Sequence, residues 1–345
     1  MSVWLDHLGS QAQHIYPALR CILVGGEAVS DALLKRLART FPKAEVIELY
    51  GPTEATIISS YYAPARHGDS GVSNCIGHRF DYSSMLILNE AAQLQPLGVV
   101  GELYLGGETL AQGYLKRPEL TRASFQQICV QTDTPTNLYK TGDLARYLPN
   151  GTIEFLGRND QQVKIRGFRI ELGEIQAHLQ QMEAIAEVVV QARDGATDKR
   201  LIAWYTSQSP VPVEDMRAHL NTCLPDYMIP AAFVHMEAWP LTPNGKIDRK
   251  TLPEPDAVAF GSNDFHPPQG EAEQTLAAIW RDLLGIERIG RNDHFFELGG
   301  HSLMAVTLVE RMRQLGHHID VRTVFTSPTL AGLAAVTHTI EEIRL

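Results

Sequence analysis

The sequence is poor in cysteine and carries no surplus of basic charge. Its 345 residues include four cysteines, with no Cys-x-x-Cys pair and no histidine at zinc-ligand spacing, which argues against a zinc site or a disulfide scaffold. The 30 basic and 40 acidic residues give a formal net charge of −10, which disfavours nucleic acid as a partner. No apolar run approaches the ~18 residues of a membrane span, and no signal peptide opens the chain. We therefore expect a cytoplasmic protein that binds neither membranes nor nucleic acid.

The length predicts two or three domains, since one domain usually holds about 100–150 residues. The chain is 44% hydrophobic and 20% charged, which is typical of a globular protein. We expect a multidomain fold: an α/β portion, a small β-barrel, a small α+β domain and an all-α four-helix bundle. The predicted boundaries divide residues 1–158 into a βαβ portion (1–70) and the barrel (about 71–158), followed by the α+β domain (159–250), a linker (251–268) and the bundle (269–345).

Residues 21–50 show the pattern of one βαβ unit. Two short apolar runs, 21–24 and 46–50, flank a segment in which leucines recur at helical spacing after Ser30. Because parallel strands of such a unit end at one edge of the sheet, the loops Gly25-Gly26-Glu27 and Gly51-Pro52-Thr53-Glu54 should lie together there. Glycines after strands also serve ordinary turns, so a ligand site and a plain turn both remain open.

The last third of the chain changes character at a proline-rich stretch. Residues 251–268 hold four prolines and no helical period, which indicates a linker. Apolar side chains then recur at helical spacing in two segments, one from Leu276 to Leu284 and one from Ala305 to Met312. This pattern predicts a helical module on a tether.

Six separated segments of the sequence resemble motifs of a known family. The last of the six, Asp293 to Leu303, closely resembles the attachment motif of a peptidyl carrier domain. The resemblance covers nearly the whole chain. It implies a synthetase that activates an amino acid with ATP as an aminoacyl-AMP and then loads it as a thioester on a carrier. Five strings, in this order, resemble the later core motifs of nonribosomal peptide synthetase adenylation domains: Tyr50-Gly51-Pro52-Thr53-Glu54, Tyr139-Lys140-Thr141-Gly142-Asp143-Leu144, the run from Gly157 to Gly167, Leu224-Pro225-Asp226-Tyr227-Met228-Ile229-Pro230 and Asn244-Gly245-Lys246-Ile247-Asp248-Arg249.

The resemblance implies roles for individual residues in the adenylation site. Lys246 would bridge carboxylate and phosphate oxygens, Glu54 would hold Mg²⁺, and Asp143 would accept hydrogen bonds from the ribose hydroxyls. The residues implied in binding ATP or AMP are Gly25, Gly26, Glu27, Tyr50, Gly51, Thr53, Asp143 and Arg158. Taken without the family, Lys246 would be interpreted as a solvated turn lysine, and Asp143 could equally be a turn cap.

The resemblance also implies a rearrangement between the two half-reactions. Asp160 corresponds to the hinge between a large and a small subdomain. Rotation about it would remove Lys246 from the site and bring in the region of Lys164 for thioester transfer. A few residues at the end of a structural element must absorb such a rotation. Without the family, Lys164 and Arg166 are the solvent-facing side of a strand.

Ser302 is the candidate for covalent modification. The resemblance implies that it carries the 4′-phosphopantetheine arm, added by a phosphopantetheinyl transferase. Its position predicts the start of a helix, where free N–H groups and the helix dipole favour a phosphodiester. A plain N-cap is the alternative. A Gly-x-Ser-x-Gly hydrolase elbow fails because Met304 occupies the second glycine position.

The substrate pocket implied by family position is apolar. Its visible wall residues are Leu23, Gly25, Leu49, Ile57 and Ile58. None of them could satisfy a charged or amide side chain, and burying such a group unpaired is costly. An apolar amino acid is therefore favoured, branched aliphatic over aromatic. The alternative is that Ile57 and Ile58 are ordinary core residues.

The early half of the family's motifs is missing from this sequence. It contains no Ser/Thr/Gly-rich loop ending in Pro-Lys-Gly and no Walker-type phosphate loop. Phe80-Asp81-Tyr82-Ser83 mimics an amino-group-binding motif but stands at the wrong place in the order, so we interpret it as a coincidence. We expect a truncated synthetase that does not adenylate by itself, with residues 1–70 its least stable part.

The sequence is compatible with three hypotheses of function. In the first the chain is an enzyme fragment whose parent works with ATP, Mg²⁺, an amino acid and neighbouring condensation or thioesterase domains. In the second it acts only as a carrier module, or as part of a split synthetase completed by another chain. The third, an acyl-CoA or aryl-acid ligase, is disfavoured by the fused carrier motif.

Overall fold

The chain forms two compact units, Met1–Gln161 and Gln162–Leu345. None of the helices in the described part of the chain is long and apolar enough to cross a membrane. The computed structural model describes residues 4–5, 8, 12–27, 29–64, 74–130, 134–195, 199–256, 258–261 and 265–339.

The first unit begins with the predicted βαβ arrangement. After a short helix α1 (Ala12–Ile15), strand β1 (Cys21–Gly25), helix α2 (Asp31–Thr40) and strand β2 (Glu45–Tyr50) follow one another. The two strands are parallel, with Cys21 opposite Glu45 and Gly25 opposite Leu49. Ser30 caps α2 by accepting a hydrogen bond from the Leu33 amide, and α2 buries its apolar face against β1 and β2.

The remaining strands of this unit extend the same sheet. In the described residues the strand order is β1-β2-β3-β4-β9-β8-β6-β5, with β7 paired to β8, so the nine strands form an open path. The prediction of a separate small barrel was therefore wrong. Helix α3 (Pro118–Ser124) lies between β6 and β7, and the added strands are β3 (Ser60–Tyr62), β4 (Cys75–Arg79), β5 (Ser83–Leu88), β6 (Gly101–Gly107), β7 (Phe125–Ile128), β8 (Thr136–Tyr147) and β9 (Ile153–Arg158).

The barrel prediction failed because a short-range sequence pattern does not specify which strands pair with each other. Strand β3 pairs with β2 on one side and β4 on the other, which joins the antiparallel strands to the βαβ unit. The predicted turn at Asn150-Gly151 does connect an antiparallel pair, β8 and β9, and Gly151 adopts a positive φ of 80° there.

The second unit begins with an α+β part, as predicted. A hairpin of β10 (Gln162–Ile165) and β11 (Phe168–Glu171) precedes a three-stranded sheet in which β13 pairs antiparallel with β12 and parallel with β14. Two helices pack on this sheet and enclose a core that includes Ile175, Met216 and Leu220. The elements after the hairpin are α4 (Leu172–Leu179), β12 (Glu187–Asp194), β13 (Lys199–Thr206), α5 (Val213–Asn221) and β14 (Ala232–Met236).

Within residues 265–339, the C-terminal part that the structure describes, there are four helices and two short strands. Fully buried Trp280 packs against Phe295 with ring centroids 5.0 Å apart. The expectation of an all-α module was incomplete, because two-residue strands pair antiparallel next to the helices. The elements are α6 (Gly270–Leu284), α7 (Ser302–Gln314), β15 (His317–His318), α8 (Val321–Thr326), α9 (Leu330–Ala335) and β16 (His338–Thr339).

The proline-rich stretch between these two parts is packed rather than extended. Leu252, Ala259 and Phe260 are buried in one apolar cluster with residues of β13 and of helix α6. The Trp204 indole donates a hydrogen bond to the Pro253 carbonyl at 2.9 Å. Residues 251–256 and 265–268 lie outside helices and strands, and Val258–Phe260 form a 3₁₀ turn. The composition of the segment did not reveal the apolar side chains that attach it to its neighbours.

Glu48 is a buried carboxyl in the middle of β2. Only 8% of its surface is exposed. Burial, together with the nearby Asp31 carboxylate, raises the pKa of Glu48 to about 7, and a hydrogen bond with the Val29 backbone opposes the shift. The folded protein therefore retains this proton at pH values where the unfolded chain has lost it.

We expect the stability of the first unit to fall as the pH rises from about 4.5 to 7. Below the unfolded-state pKa of 4.5 both states are protonated, and above 7 the folded state holds a buried charge. Glu48→Gln should raise the free energy of unfolding on the order of 2 kcal/mol at pH 8 and leave it nearly unchanged at pH 4. Calorimetry across this range, with Glu45→Gln on the same strand as control, measures the effect. Equal gains at both pH values would contradict it.

Candidate functional site

A buried carboxylate lies where β2, β8 and β9 meet in the first unit. Asp143, on β8, is 7% exposed. Arg158, the last residue of β9, donates from Nη1 to Asp143 Oδ1 at 2.6 Å and from Nη2 to the Thr141 carbonyl at 2.9 Å. The Tyr50 hydroxyl, at the end of β2, donates to Asp143 Oδ2. Burial and the neighbouring Asp143 carboxylate raise the pKa of Tyr50, so its hydroxyl stays protonated and remains a donor.

This arrangement brings together three of the residues predicted to bind nucleotide. Asp143 lies within a strand next to an irregularity in the β8–β9 pairing, so the alternative of a plain turn cap does not describe it. An ionised carboxylate offers about four lone-pair sites, and Tyr50 and the Arg158 Nη1 contact use two of them. A buried carboxylate is a hydrogen-bond acceptor, which is the chemistry that the hydroxyls of a ribose require.

Arg158 also contacts the predicted hinge residue. Its Nε and Nη2 donate to the two carboxylate oxygens of Asp160 at 2.7 and 2.6 Å. Gly142, with φ of 77°, makes room for this pair, because an added Cβ would lie 2.6 Å from Arg158 Nη2 and 2.7 Å from Asp160 Oδ2. Asp160 lies in the bend between β9 and β10, next to the division between the two units.

Glu54 lies in a single turn of 3₁₀ helix, Thr53–Ala55, just after β2. Its carboxylate is 7% exposed and accepts a hydrogen bond from the Tyr114 hydroxyl at 2.5 Å. Burial and this hydrogen bond raise the pKa of Tyr114. Sequence reasoning missed Tyr114, and no spacing or motif around it would have signalled the contact.

The surroundings of Glu54 fit a magnesium ion that takes most of its ligands from elsewhere. Mg²⁺ usually keeps several waters and binds one or two carboxylates together with substrate phosphates. In the described residues no group of three or more His, Cys, Asp or Glu side chains could hold a metal. Glu54 would therefore hold the ion together with phosphate oxygens, and the metal would neutralise phosphate charge.

The predicted pocket residues lie on β1, on β2 and in the loop that follows. Leu23, Gly25 and Leu49 share one face of the parallel pair. Leu23 and Gly25 alternate with buried Ile22 and Val24 on β1, and Leu49 lies opposite Gly25 on β2. At Gly25 an added Cβ would lie 2.5 Å from the Leu49 carbonyl oxygen, so only glycine allows this approach.

The exposure of these side chains bears on the alternative that Ile57 and Ile58 are ordinary core residues. Leu23 is 57% exposed and Ile57 is 73% exposed, so neither of these two side chains is part of a core. Ile57 has a φ of 72°, a strained conformation for a β-branched residue, whereas Ile58 is partly buried. Of the loop residues predicted to contact nucleotide, Gly26 adopts a φ of 90° and Glu27 is exposed, while Gly51 packs against the backbone of Ile57 and Ile58.

Both candidate lysines belong to the second unit, whereas Asp143, Arg158 and Glu54 belong to the first. Lys246 is exposed and follows a turn, with its amide and carbonyl hydrogen-bonded to Thr242. Lys164 is exposed on β10, opposite Arg169 in the hairpin.

Ser302 is the first residue of α7 and is exposed, as predicted. The N-cap is His301, whose Nδ1 accepts a hydrogen bond from the Met304 amide at 3.4 Å. The alternative of Ser302 as the cap is therefore excluded. Gly300 lets the preceding loop pack on Phe295, because an added Cβ would lie 2.5 Å from the Phe295 carbonyl oxygen. The hydroxyl thus stands at a helix N-terminus, where a phosphodiester is favoured.

Comparison with known families identifies two regions of the chain. Residues 1–115 match the family model of AMP-binding enzymes. Residues 274–336 match the model of the phosphopantetheine attachment site, which contains Ser302.

Curated relatives are very large synthetases. The chain is 45% identical over 323 residues to malpibaldin synthetase of Mortierella alpina, which covers 93% of this chain and 6% of that protein. It is 45% identical over 317 residues to bacitracin synthase 3 of Bacillus licheniformis, covering 91% of this chain and 5% of the relative. The chain therefore spans only about a twentieth of their length.

Solved structures resemble the chain over most of its length. An NRPS protein containing adenylation and PCP domains, bound to a vinylsulfonamide inhibitor, matches with a TM-score of 0.76 and 27% identity. That match covers 95% of this chain and 54% of the other. An artificially fused adenylation–PCP didomain from Klebsiella oxytoca matches with a TM-score of 0.56 and 26% identity over 96% of this chain and 54% of the other.

The two ion pairs of Arg158 should contribute unequally to stability. Asp143→Asn should lower the free energy of unfolding by about 2–4 kcal/mol, because it replaces a buried charge partner. Asp160→Asn should lower it by less than about 1 kcal/mol, because the Asp160 side chain is 43% exposed. Urea unfolding of both variants measures the difference. A similar loss of unfolding free energy in both variants would contradict the prediction that the buried ion pair contributes more.

Proposed function

The chain combines part of an AMP-binding enzyme domain with a phosphopantetheine attachment domain, as nonribosomal peptide synthetase modules do, and we propose that it carries an activated amino acid as a thioester. The observation that carries this proposal is the exposed Ser302 hydroxyl at the start of α7, within the attachment domain. A phosphopantetheinyl transferase would add the arm of coenzyme A there. Attack of the Ser302 oxygen on the coenzyme's β-phosphorus would release adenosine 3′,5′-bisphosphate.

We assign the nucleotide-binding part of the adenylation chemistry to the first unit. Asp143 would hold the ribose, Arg158 would contact the nucleotide, and Glu54 would bind Mg²⁺. Tyr50, Gly51, Thr53 and the loop Gly25-Gly26-Glu27 would surround the phosphates and the adenosine. The buried network of Tyr50, Asp143 and Arg158 supports this assignment, since it fixes a carboxylate acceptor without movement on binding.

Two lysines of the second unit would act in turn. Lys246 would stabilise charge as the amino-acid carboxylate attacks the α-phosphorus of ATP and pyrophosphate leaves. Lys164 would come into use for transfer to the thiol of the arm. Asp160 would be the hinge between these arrangements, with predicted subdomain limits of 1–158 and 159–250 and the carrier at 269–345. The division of the chain next to Gln161 supports that position.

We propose further that the chain by itself does not adenylate at a useful rate. Its sequence lacks the Ser/Thr/Gly-rich phosphate loop and an amino-group-binding aspartate at the expected place, so positioning and electrostatic contributions are missing. In a longer or split synthetase, completed by another segment or chain, those parts would be supplied. The second candidate is a carrier module that only shuttles a thioester between partners such as condensation or thioesterase domains.

The substrate class follows from the exposed apolar side chains. Leu23 and Ile57 present apolar surface beside Gly25 and Leu49, which supports an apolar amino acid, branched aliphatic over aromatic. We place this chemistry in the cytoplasm, where thiols stay reduced; no disulfide joins the four cysteines, all of which lie in the described part of the chain.

Incubation with coenzyme A and a phosphopantetheinyl transferase of broad specificity should add one arm per chain, read by intact mass. Ser302→Ala should abolish the addition because it removes the only hydroxyl group of the motif from Asp293 to Leu303. Ser327→Ala, in the same domain, is the matched control and should be modified like the parent chain. Modification of Ser302→Ala to the same mass would contradict the assignment.

A further inference from the structure

Strand β8 bulges away from β6 next to the candidate ribose-binding carboxylate. Between two aligned pairs of this ladder, one residue of β6, Leu103, stands against three residues of β8, Thr141, Gly142 and Asp143. The aligned pairs on either side are Glu102 with Leu144 and Tyr104 with Lys140. A bulge interrupts the backbone ladder and redirects side chains. The backbone groups of residues 141–143 therefore need partners other than the facing strand.

The buried Thr141 side chain supplies two of these partners. Its hydroxyl donates a hydrogen bond to the Leu103 carbonyl at 2.6 Å and accepts one from the Asp143 amide at 2.9 Å. On the side of β9, the Gly142 carbonyl accepts a hydrogen bond from the Asn159 amide at 2.9 Å. The amide of Gly142, in the middle of the bulge, needs an acceptor of its own.

That acceptor is the Glu102 carboxylate on the neighbouring strand. Its Oε1 accepts a hydrogen bond from the Gly142 amide at 3.1 Å. Its Oε2 lies 3.5 Å from Nζ of Lys140, and the Glu102 side chain is 14% exposed while that of Lys140 is 42% exposed. A carboxylate makes a stronger hydrogen bond than a neutral acceptor does, whereas an ion pair with a half-exposed lysine contributes little energy and serves mainly to orient the carboxylate.

The Gly142 peptide determines where the Asp143 carboxylate points. Gly142 has a φ of 77°, in the left-handed region that favours glycine, and Asp143 follows it directly. Asp143 is aligned with Arg158 of β9, which donates to its Oδ1, while Tyr50 donates to Oδ2. Rotation of the Gly142 peptide would therefore move the carboxylate relative to both of these donors.

We propose that Glu102 is a positioning residue for nucleotide binding: by holding the Gly142 amide, it fixes the Asp143 carboxylate in the orientation that accepts the ribose hydroxyls. Lys140 orients the Glu102 carboxylate in turn. This inference rests on the proposed function, in which Asp143 binds the ribose. Because Glu102 acts through the bulge and not on the ligand, it affects only the part of the affinity that the two ribose hydroxyls contribute.

Hydrogen exchange of a single amide tests the contact without any ligand. Thr141-Gly142 is the only Thr-Gly pair in the sequence, so isotope labels at the threonine carbonyl and the glycine amide give one peak, that of Gly142, in a carbonyl–amide correlation spectrum of the full chain. Protection of this amide should fall at least about tenfold in Glu102→Ala, which removes the acceptor. Glu102→Gln should retain most of the protection, because its amide oxygen still accepts. Equal protection in the parent chain and Glu102→Ala would overturn the proposal.

Calorimetric titration of the full chain tests the consequence for binding. The two probes are AMP and 2′,3′-dideoxy-AMP, which lacks both ribose hydroxyls. The parent chain should bind AMP at least about tenfold more tightly than the dideoxy nucleotide, because the latter leaves the polar site unpaired. Glu102→Ala should lose most of this preference through weaker binding of AMP, with the Kd of the dideoxy nucleotide unchanged. Glu102→Gln should keep most of the preference.

A matched control separates this role from general damage to the sheet. Glu154 is also a buried carboxylate that pairs with a basic residue of β8, Arg146, but it lies outside the bulge. Glu154→Ala should leave the preference for AMP unchanged.

The outcomes distinguish the positioning role from the proposed function on which it rests. A preference for AMP that persists in Glu102→Ala would overturn the positioning role and leave Asp143 as the ribose acceptor. An equal loss of affinity for both nucleotides in that variant would also overturn it, because general damage to the site weakens both. A parent chain without any preference would overturn the ribose-binding role of Asp143 and the positioning role with it.

Discussion

The buried ion pair between Arg158 and Asp143 is the constraint around which the first unit is arranged. A carboxylate that is 7% exposed needs a cationic partner, and Arg158 supplies it from the last residue of β9. The same guanidinium binds the Thr141 carbonyl and the Asp160 carboxylate. One side chain therefore connects the candidate nucleotide-binding acceptor with the candidate hinge, and Gly142 leaves room for this contact because an added Cβ would enter it.

The second unit solves a different electrostatic problem. Arg217 is buried without a buried carboxylate, and its hydrogen bonds go to backbone carbonyls. A carbonyl partner satisfies the donor without neutralising the charge, which explains why burial lowers the pKa of this group. Such a contact joins segments far apart in sequence, since residues 217 and 297 come from the sheet part and the carrier.

Local sequence signals predicted local structure well. The periods of residues 21–50 gave the βαβ unit, Asn150-Gly151 gave a hairpin, and Ser302 begins a helix. The open sheet was not predictable, because closure depends on whether β2 and β4 both pair with β3. The strands β15 and β16 were missed because two residues are too short to show alternation.

Some of the side-chain contacts could have been predicted from the sequence, and others could not. Arg217 could have been found, since a charge four residues after Val213 falls on the apolar face of a helix. The Tyr114–Glu54 hydrogen bond joins residues 60 apart and leaves no trace in spacing. The burial of the Glu48 carboxyl was not predicted, because this residue lies within an apolar run that was correctly predicted to be a strand.

The proposed function holds that this chain accepts the phosphopantetheine arm but does not adenylate an amino acid by itself. One measurement tests this division most directly. The purified chain is modified with coenzyme A and a transferase, then mixed with ATP, Mg²⁺ and a set of apolar amino acids, and its intact mass is recorded. The account predicts the mass of the arm alone. An additional aminoacyl mass, sensitive to hydroxylamine, would contradict it.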